Sequence, residues 1–188
     1  SFTGHRIARL HPFAAGKIHV IPRGTDFHIF TPSAVDPKRV QKLRQDWGVA
    51  PDERIVLLAA RLTEWKGQKI LINAAKVLKG KGFDDVRYIL AGDAQGRDGY
   101  VKELESEIAR LNLTGIVKLV GHCSDMPAAF KAATAETVTS TEPEAFGRSA
   151  VEAQAMGTPV IVTDLGAVPE TVLAPPDVEE SARTGWRV

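Results

Sequence analysis

A single cysteine, Cys123, stands among 188 residues, so neither an internal disulfide nor a multi-cysteine zinc site can form. No apolar run approaches the roughly 18–20 residues that a membrane-spanning helix needs. Charge of neither sign prevails: 24 Lys and Arg against 23 Asp and Glu leave a formal net charge of +1, which argues against whole-surface affinity for nucleic acid. The histidines at 5, 11, 19, 28 and 122 are scattered, and no H-E-x-x-H or His/Cys spacing suggests a metal. There is no Asp-x-Asp pair to hold a divalent cation on a phosphate. The dinucleotide fingerprint G-x-G-x-x-G, the P-loop G-x-x-x-x-G-K-[ST] and the nucleophile elbow G-x-S-x-G are all missing, which weighs against nicotinamide-cofactor chemistry, P-loop hydrolysis and serine-hydrolase chemistry. No internal repeat or low-complexity tract is present.

What is present is an ordinary globular balance, 44% hydrophobic and 25% charged, in a length suited to one domain with a proper core. Apolar runs rich in β-branched residues recur at Lys17–Ile21, Ile55–Ala59, Val86–Ala91, Ile116–Val120, Glu136–Ser140 and Pro159–Thr163, and each reads as a strand. Helical spacing lies between them. Lys66–Lys79 puts Ile70, Leu71, Ala74, Ala75 and Leu78 on one face; Tyr100–Leu111, Gly147–Met156, the shorter Asp125–Ala133 and Lys38–Trp47 complete the set. Short continuous apolar strands alternating with helices predict an α/β fold, a Rossmann-like doubly wound parallel sheet covered on both faces. Residues 1–50 read as a leading segment carrying the first strand and helix, and 51–188 as the ligand-binding body of the same domain.

The charges are unevenly spread. Residues 1–44 hold eight Lys and Arg against two Asp, and residues 136–180 hold nine acidic residues against Arg148 alone. This pattern fits two solvated faces of opposite sign, or a basic end turned toward an anionic partner. A start at Ser1 without Met and a stop at Thr184–Val188, in what reads as a turn entering a strand, are expected of a piece of a longer protein.

Doubly wound sheets bind ligands beyond the carboxyl ends of their strands, so the loops after each strand are the places to look. Arg61 and Lys66 stand five residues apart in the loop after the Ile55–Ala59 strand, where a helix begins. A planar guanidinium and a mobile ammonium beside a helix N-terminus can clamp a diphosphate; they can equally be surface charge flanking a helix start. Gly92–Gly99 reads mainly as a flexible turn. Glu144 precedes the Gly147–Met156 helix and Glu152 lies inside it; eight helical rises put them about 12 Å apart at most. That exceeds the roughly 5–9.5 Å of paired glycosidase carboxyls, so joint acid–base work on one bond is disfavoured. The two can serve distant hydroxyls of one elongated ligand, or be a helix N-terminal acid and a solvated helix face. Cys123, beside His122, reads as an inert thiol because adjacent residues on an extended segment point to opposite sides.

Taken in order, these segments resemble the retaining glycosyltransferases of the GT-B fold, the "group 1" family. Ile21-Pro22-Arg23-Gly24-Thr25-Asp26, with Phe30 and Pro32 following, looks like the family's I-P-N-G-V-D…F…P. Arg61-Leu62…Lys66-Gly67 is similar to its G-R-L-x-x-x-K-G loop, Leu90-Ala91-Gly92-Asp93 to its A-G-D turn, and Gly121…Asp125-Met126 to its G…D-M loop. Glu144-Ala145-Phe146-Gly147…Glu152-Ala153…Gly157-Thr158-Pro159-Val160 looks like the E-x7-E signature and its tail, and Val168-Pro169-Glu170 like the G-x-P-E turn. Arg23 stands where the family often has Asn, and Ala60 where it often has Gly.

The resemblance implies the C-terminal, nucleotide-sugar-binding half of a two-domain transferase, hexosyltransferase-like and retaining, acting in envelope polysaccharide or glycolipid synthesis. It implies catalytic or donor-binding roles for Arg61 and Lys66 on the diphosphate, Glu144 on the transferred sugar and Glu152 on the ribose. Ala145, Phe146, Gly147 and Arg148 would lie near sugar and phosphate, and the loop reaching Met126 would cover the base. The substrate implied is a nucleoside diphosphate sugar, with no cofactor and no metal. The implied partner is an N-terminal acceptor domain, absent from these residues, through which a cytoplasmic enzyme would meet the inner face of the membrane. Without that half, little or no turnover is expected. A stand-alone nucleotide-sugar-binding module is the competing expectation.

Overall fold

The computed structural model describes all of residues 1–188. Six strands form one sheet: β1 (Arg54–Ala59), β2 (Val86–Ala91), β3 (Val117–Gly121), β4 (Ala135–Val138), β5 (Val160–Val162) and β6 (Trp186–Arg187). Every pairing is parallel, and the order across the sheet is β3-β2-β1-β4-β5-β6. This is the doubly wound order, in which the chain lays strands outward from β1 on one side, then returns to build the other side from β4. The predicted α/β class holds.

Six helices accompany the sheet: α1 (Phe2–Leu10), α2 (Pro37–Asp46), α3 (Gln68–Gly80), α4 (Asp98–Arg110), α5 (Met126–Ala132) and α6 (Arg148–Ala155); α3 to α6 lie on its faces, α2 packs on α5, and α1 lies outside the core. Alternation along each strand divides the core in two. Ile55 and Leu57 of β1, Ile89 of β2, Val138 of β4 and Val160 of β5 meet α5 and α6 in one cluster; Leu58, Tyr88 and Leu90 meet α3 and α4 in the other. Both faces are sealed, so a strand can carry apolar residues without a break.

Predicted and observed elements agree for five strands and five helices to within two or three residues. The exceptions are local. Lys17–Ile21 is not a strand: a 3₁₀ turn runs through Pro12–Lys17, and the following residues carry no regular structure. It pairs with neither edge strand of the sheet, β3 or β6. Its Ile18 and Val20 lie instead against α1 near Gly4, while Ile21 stays 85% exposed. Residues 1–50 therefore contribute helices and no strand. Helix α1, capped by the Ser1 side chain, was not among the expected elements. The Lys66–Lys79 helix begins at Gln68, because Gly67 takes a left-handed φ of 70° that separates it from a 3₁₀ turn at Glu64–Lys66.

Candidate donor-binding site

The direction of chain growth reverses between β1 and β4, and a crevice opens at that point beyond the strands' carboxyl ends. The loop after β1 and the loop after β4 form its two walls, and hydrogen bonds lace them together. The Thr141 N–H donates to the Trp65 carbonyl at 2.8 Å. Thr139 Oγ1 donates to the carbonyls of Lys66 and Gly67 at 3.1 and 3.0 Å. The approach leaves no room for a side chain at Gly67, where a Cβ would sit 1.8 Å from the Thr139 carbonyl oxygen. Gly92 plays the same part on the floor, its Cβ position lying 1.8 Å from the Ala60 carbonyl oxygen.

The crevice holds a cavity of about 660 Å³. Arg61 and Lys66 line one wall. Glu144, Ala145, Phe146, Gly147 and Arg148 line the opposite one, and Glu152 lies a helical turn further on. Met126, with His122 and Cys123, closes the β3 side. All nine site residues expected from the sequence thus meet around one cavity, although they come from three separate strand-to-helix connections and the helices α5 and α6 that follow two of them.

Their chemistry differs from one to the next. Arg61 is exposed and forms no ion pair. Its loop is fixed from below: the fully buried Gln68 donates through Nε2 to the Arg61 carbonyl at 2.9 Å, and the Tyr100 hydroxyl donates to Gln68 Oε1 at 3.1 Å. Burial, reinforced by Glu103 and Glu64, pushes the Tyr100 hydroxyl up to about 12, so it stays a donor at any physiological pH. Lys66 lies across the ring of Trp65, 4.2 Å from its centre, and pairs with Glu144 Oε1, which also accepts from the Ser140 hydroxyl. The sequence offered Lys66 and Glu144 to different parts of a ligand; the structure ties them to each other. Glu144 is no solvated helix-end acid, being 8% exposed.

Glu152 is half-buried and faces Arg148 at 3.5 Å. Desolvation raises its carboxyl above the ordinary range and Arg148 opposes the rise. The first turn of α6 has no side-chain cap: Gly147, at φ 79°, leads straight into Arg148, leaving N–H groups turned to the cavity end of the helix. Cys123 is also pushed up by burial, away from the thiolate form. Nowhere do three or more His, Cys, Asp or Glu side chains gather as a metal site would require.

Sequence reasoning passed over several neighbours. Arg23, Asp93, Gln95 and Ser149 line the same cavity. Arg23 stood out only as a departure from a motif, and Asp93 only as part of a turn. Fully buried behind Ser149 is Glu136, on β4, and a lone carboxylate in a strand of β-branched residues is a signal visible in the sequence.

A doubly wound parallel sheet with a polar crevice at its reversal point, lined by two acidic and two basic side chains, has the architecture of the C-terminal half of a GT-B transferase. The chain belongs to the glycosyl transferases group 1 family, whose model matches residues 39–174. A crystal structure of a glycosyltransferase from Rickettsia africae superposes on the whole chain with a TM-score of 0.89 at 29% identity, over 47% of that protein. Anabaena HepE in complex with UDP and glucose is 36% identical, with a TM-score of 0.77 over 93% of this chain and 44% of its own. Among sequences, the D-inositol 3-phosphate glycosyltransferase of Jonesia denitrificans is 30% identical over 171 residues, which is 89% of this chain and 40% of that relative. The chain spans less than half the length of the curated relatives it matches.

Proposed function

We propose that the chain binds the donor for a retaining glycosyltransferase that moves a sugar from a nucleoside diphosphate sugar to an acceptor held by another domain. The observation that carries this reading is the single 660 Å³ cavity on which Arg61, Lys66, Glu144 and Glu152 converge. Arg61, free of any carboxylate, and Lys66 take the diphosphate, and the uncapped α6 N-terminus adds its dipole. Glu152, at the inner end, accepts from the ribose hydroxyls. Glu144 accepts from hydroxyls of the transferred sugar while Lys66 turns from it toward phosphate. As the bond from the anomeric carbon to phosphate breaks, charge grows on the departing diphosphate, and the two cations stabilise it more in the transition state than in the ground state. No metal ion enters this scheme, because the two cations supply the charge. The Anabaena relative, bound to UDP and glucose, supports the class of ligand. The relatives named D-inositol 3-phosphate glycosyltransferase support a small polar acceptor; envelope polysaccharide or glycolipid synthesis is the setting we propose. On this reading the chain alone binds donor and turns over little, because the acceptor is held by another domain.

The test is calorimetric titration with UDP, GDP and ADP, with and without magnesium. Selective binding of one, indifferent to the metal, supports the reading and names the base. Binding of NAD with no nucleoside diphosphate binding overturns it.

A further inference from the structure

The donor cavity has a second layer. Behind its α6 wall, Glu136 of β4 is fully buried at the centre of the sheet, paired in register with Leu57 of β1 and Val160 of β5. Its side chain leaves the sheet on the same face as Val138, toward α6. One oxygen, Oε1, accepts from the Ala59 N–H at 3.2 Å. The other, Oε2, is buried without any hydrogen-bond partner. An ionised carboxylate without a cation costs many kcal/mol at such a place, so a buried acid of this kind keeps its proton. No Lys, Arg or His pairs with it. Its strand neighbours Leu57 and Val160 are apolar, and α5 presents Ala128, Ala129 and Phe130 to this side of the core. On the α6 side, the Ser149 hydroxyl and the Glu152 charge act on it, and Arg148 is paired to Glu152. Burial pushes the Glu136 carboxyl well up; the Ala59 N–H and Ser149 hydroxyl oppose this, and the Glu152 charge adds to it.

A protonated Oε2 is a donor, and the two α6 groups that act on this carboxyl, Ser149 and Glu152, three residues apart on one helix face, both line the donor cavity. The geometry points to Glu136 as a positioning residue: as a neutral acid it donates toward Ser149 and Glu152 and fixes the Glu152 carboxylate to receive the ribose hydroxyls. This rests on the reading of Glu152 as the ribose-binding group. The arrangement keeps one negative charge on the pair where two independent acids would carry two, and so spares the nearby diphosphate from a second anion.

The test uses this chain, titrated with UDP, GDP and ADP, then with the tightest of the three and its 2′-deoxy counterpart. Glu152→Ala is expected to remove most of the preference for ribose, roughly tenfold, the weight of one hydrogen bond to a charged group. Glu136→Gln, which keeps a donor at the same place, is expected to retain the preference. Glu136→Ala is expected to lose it, and the double variant Glu136→Ala/Glu152→Ala to be no worse than Glu152→Ala, as for residues acting in series. A folded Glu136→Ala that prefers ribose as the unaltered chain does overturns the proposal. A Glu152→Ala variant that keeps the preference overturns the ribose reading and the proposal with it, which tells the two failures apart. Should Glu136→Ala not fold, the pH profile of Glu136→Gln decides. As pH rises and the raised Glu136 carboxyl loses its proton, nucleotide affinity should decline more steeply in the unaltered chain than in Glu136→Gln. Parallel profiles overturn the assignment.

Discussion

At the scale of single residues, charge and burial make opposite demands, and the site shows how each is met. Lys66 and Glu144, both mostly buried, hold each other until a ligand offers something better. Arg61 has no such holder, and its loss should be felt in binding alone. Arg61→Ala is expected to weaken nucleoside diphosphate binding by roughly ten- to a hundredfold, as for a charged hydrogen bond, and leave the affinity for the nucleoside unchanged; paired titrations with both ligands check this. Lys66→Ala should weaken the same ligand and also destabilise the fold, by about 3 kcal/mol, because Glu144 is left buried with a single hydroxyl partner. Glu136 yields a pH-dependent expectation. Its folded carboxyl titrates above its unfolded one, so the stability it contributes is whole below about pH 4.5 and is lost as pH rises toward the raised value. Glu136→Gln has no proton to lose. Its urea midpoint relative to the unaltered chain should therefore climb with pH above about 4.5, and a difference that is constant with pH contradicts the account.

At the scale of elements, much of the outcome was legible from the sequence, for a stated reason. A strand sealed on both faces tends to be apolar at successive positions, and Ile55–Ala59 and Tyr88–Ala91 announce themselves in this way. The same rule misled at Lys17–Ile21, where alternating β-branched residues serve a helix and find no strand to pair with. Helix α1 was hidden because its face toward the body is small and much of its apolar side is open to solvent: Ile7 and Leu10 are both exposed. The Lys66–Glu144 pairing could not be seen from spacing, since it depends on two loops meeting across the reversal of the sheet. The fastening of those loops is itself testable. Gln68→Leu strands the Tyr100 hydroxyl and frees the Arg61 carbonyl, so it should cost about 1–3 kcal/mol by chemical denaturation. Tyr100→Phe added to it should cost less than the two changes separately, because the shared partner is already gone. Gly67→Ala should be worse than either, since strand and loop cannot part to admit a methyl group at φ 70°.

For the whole molecule, the crevice is a property of topology before it is a property of any side chain. Ligand held between loops on both sides of the sheet's reversal binds the folded state alone. At a concentration near 100 times its dissociation constant, the selected nucleoside diphosphate should stabilise the chain by about 2.7 kcal/mol and raise its Tm by roughly 5–10 °C. A Tm that does not move at such saturation would place binding away from the crevice. No helix of the chain is long and apolar enough to cross a membrane.

The pairing of β1 with β4 also orders events in time. Thr137 donates to the Leu57 carbonyl across 80 residues of chain, and both β2 and β3 lie in the interval. During synthesis, β1, β2 and β3 can assemble as each emerges, but the crevice has no second wall until the ribosome has passed Glu144. Closing so long a loop is slow, and until it closes one edge of β1 stands open. The nascent chain is thus blind to its ligand for most of its making, and an unpaired strand edge is what it shows to its surroundings during that wait.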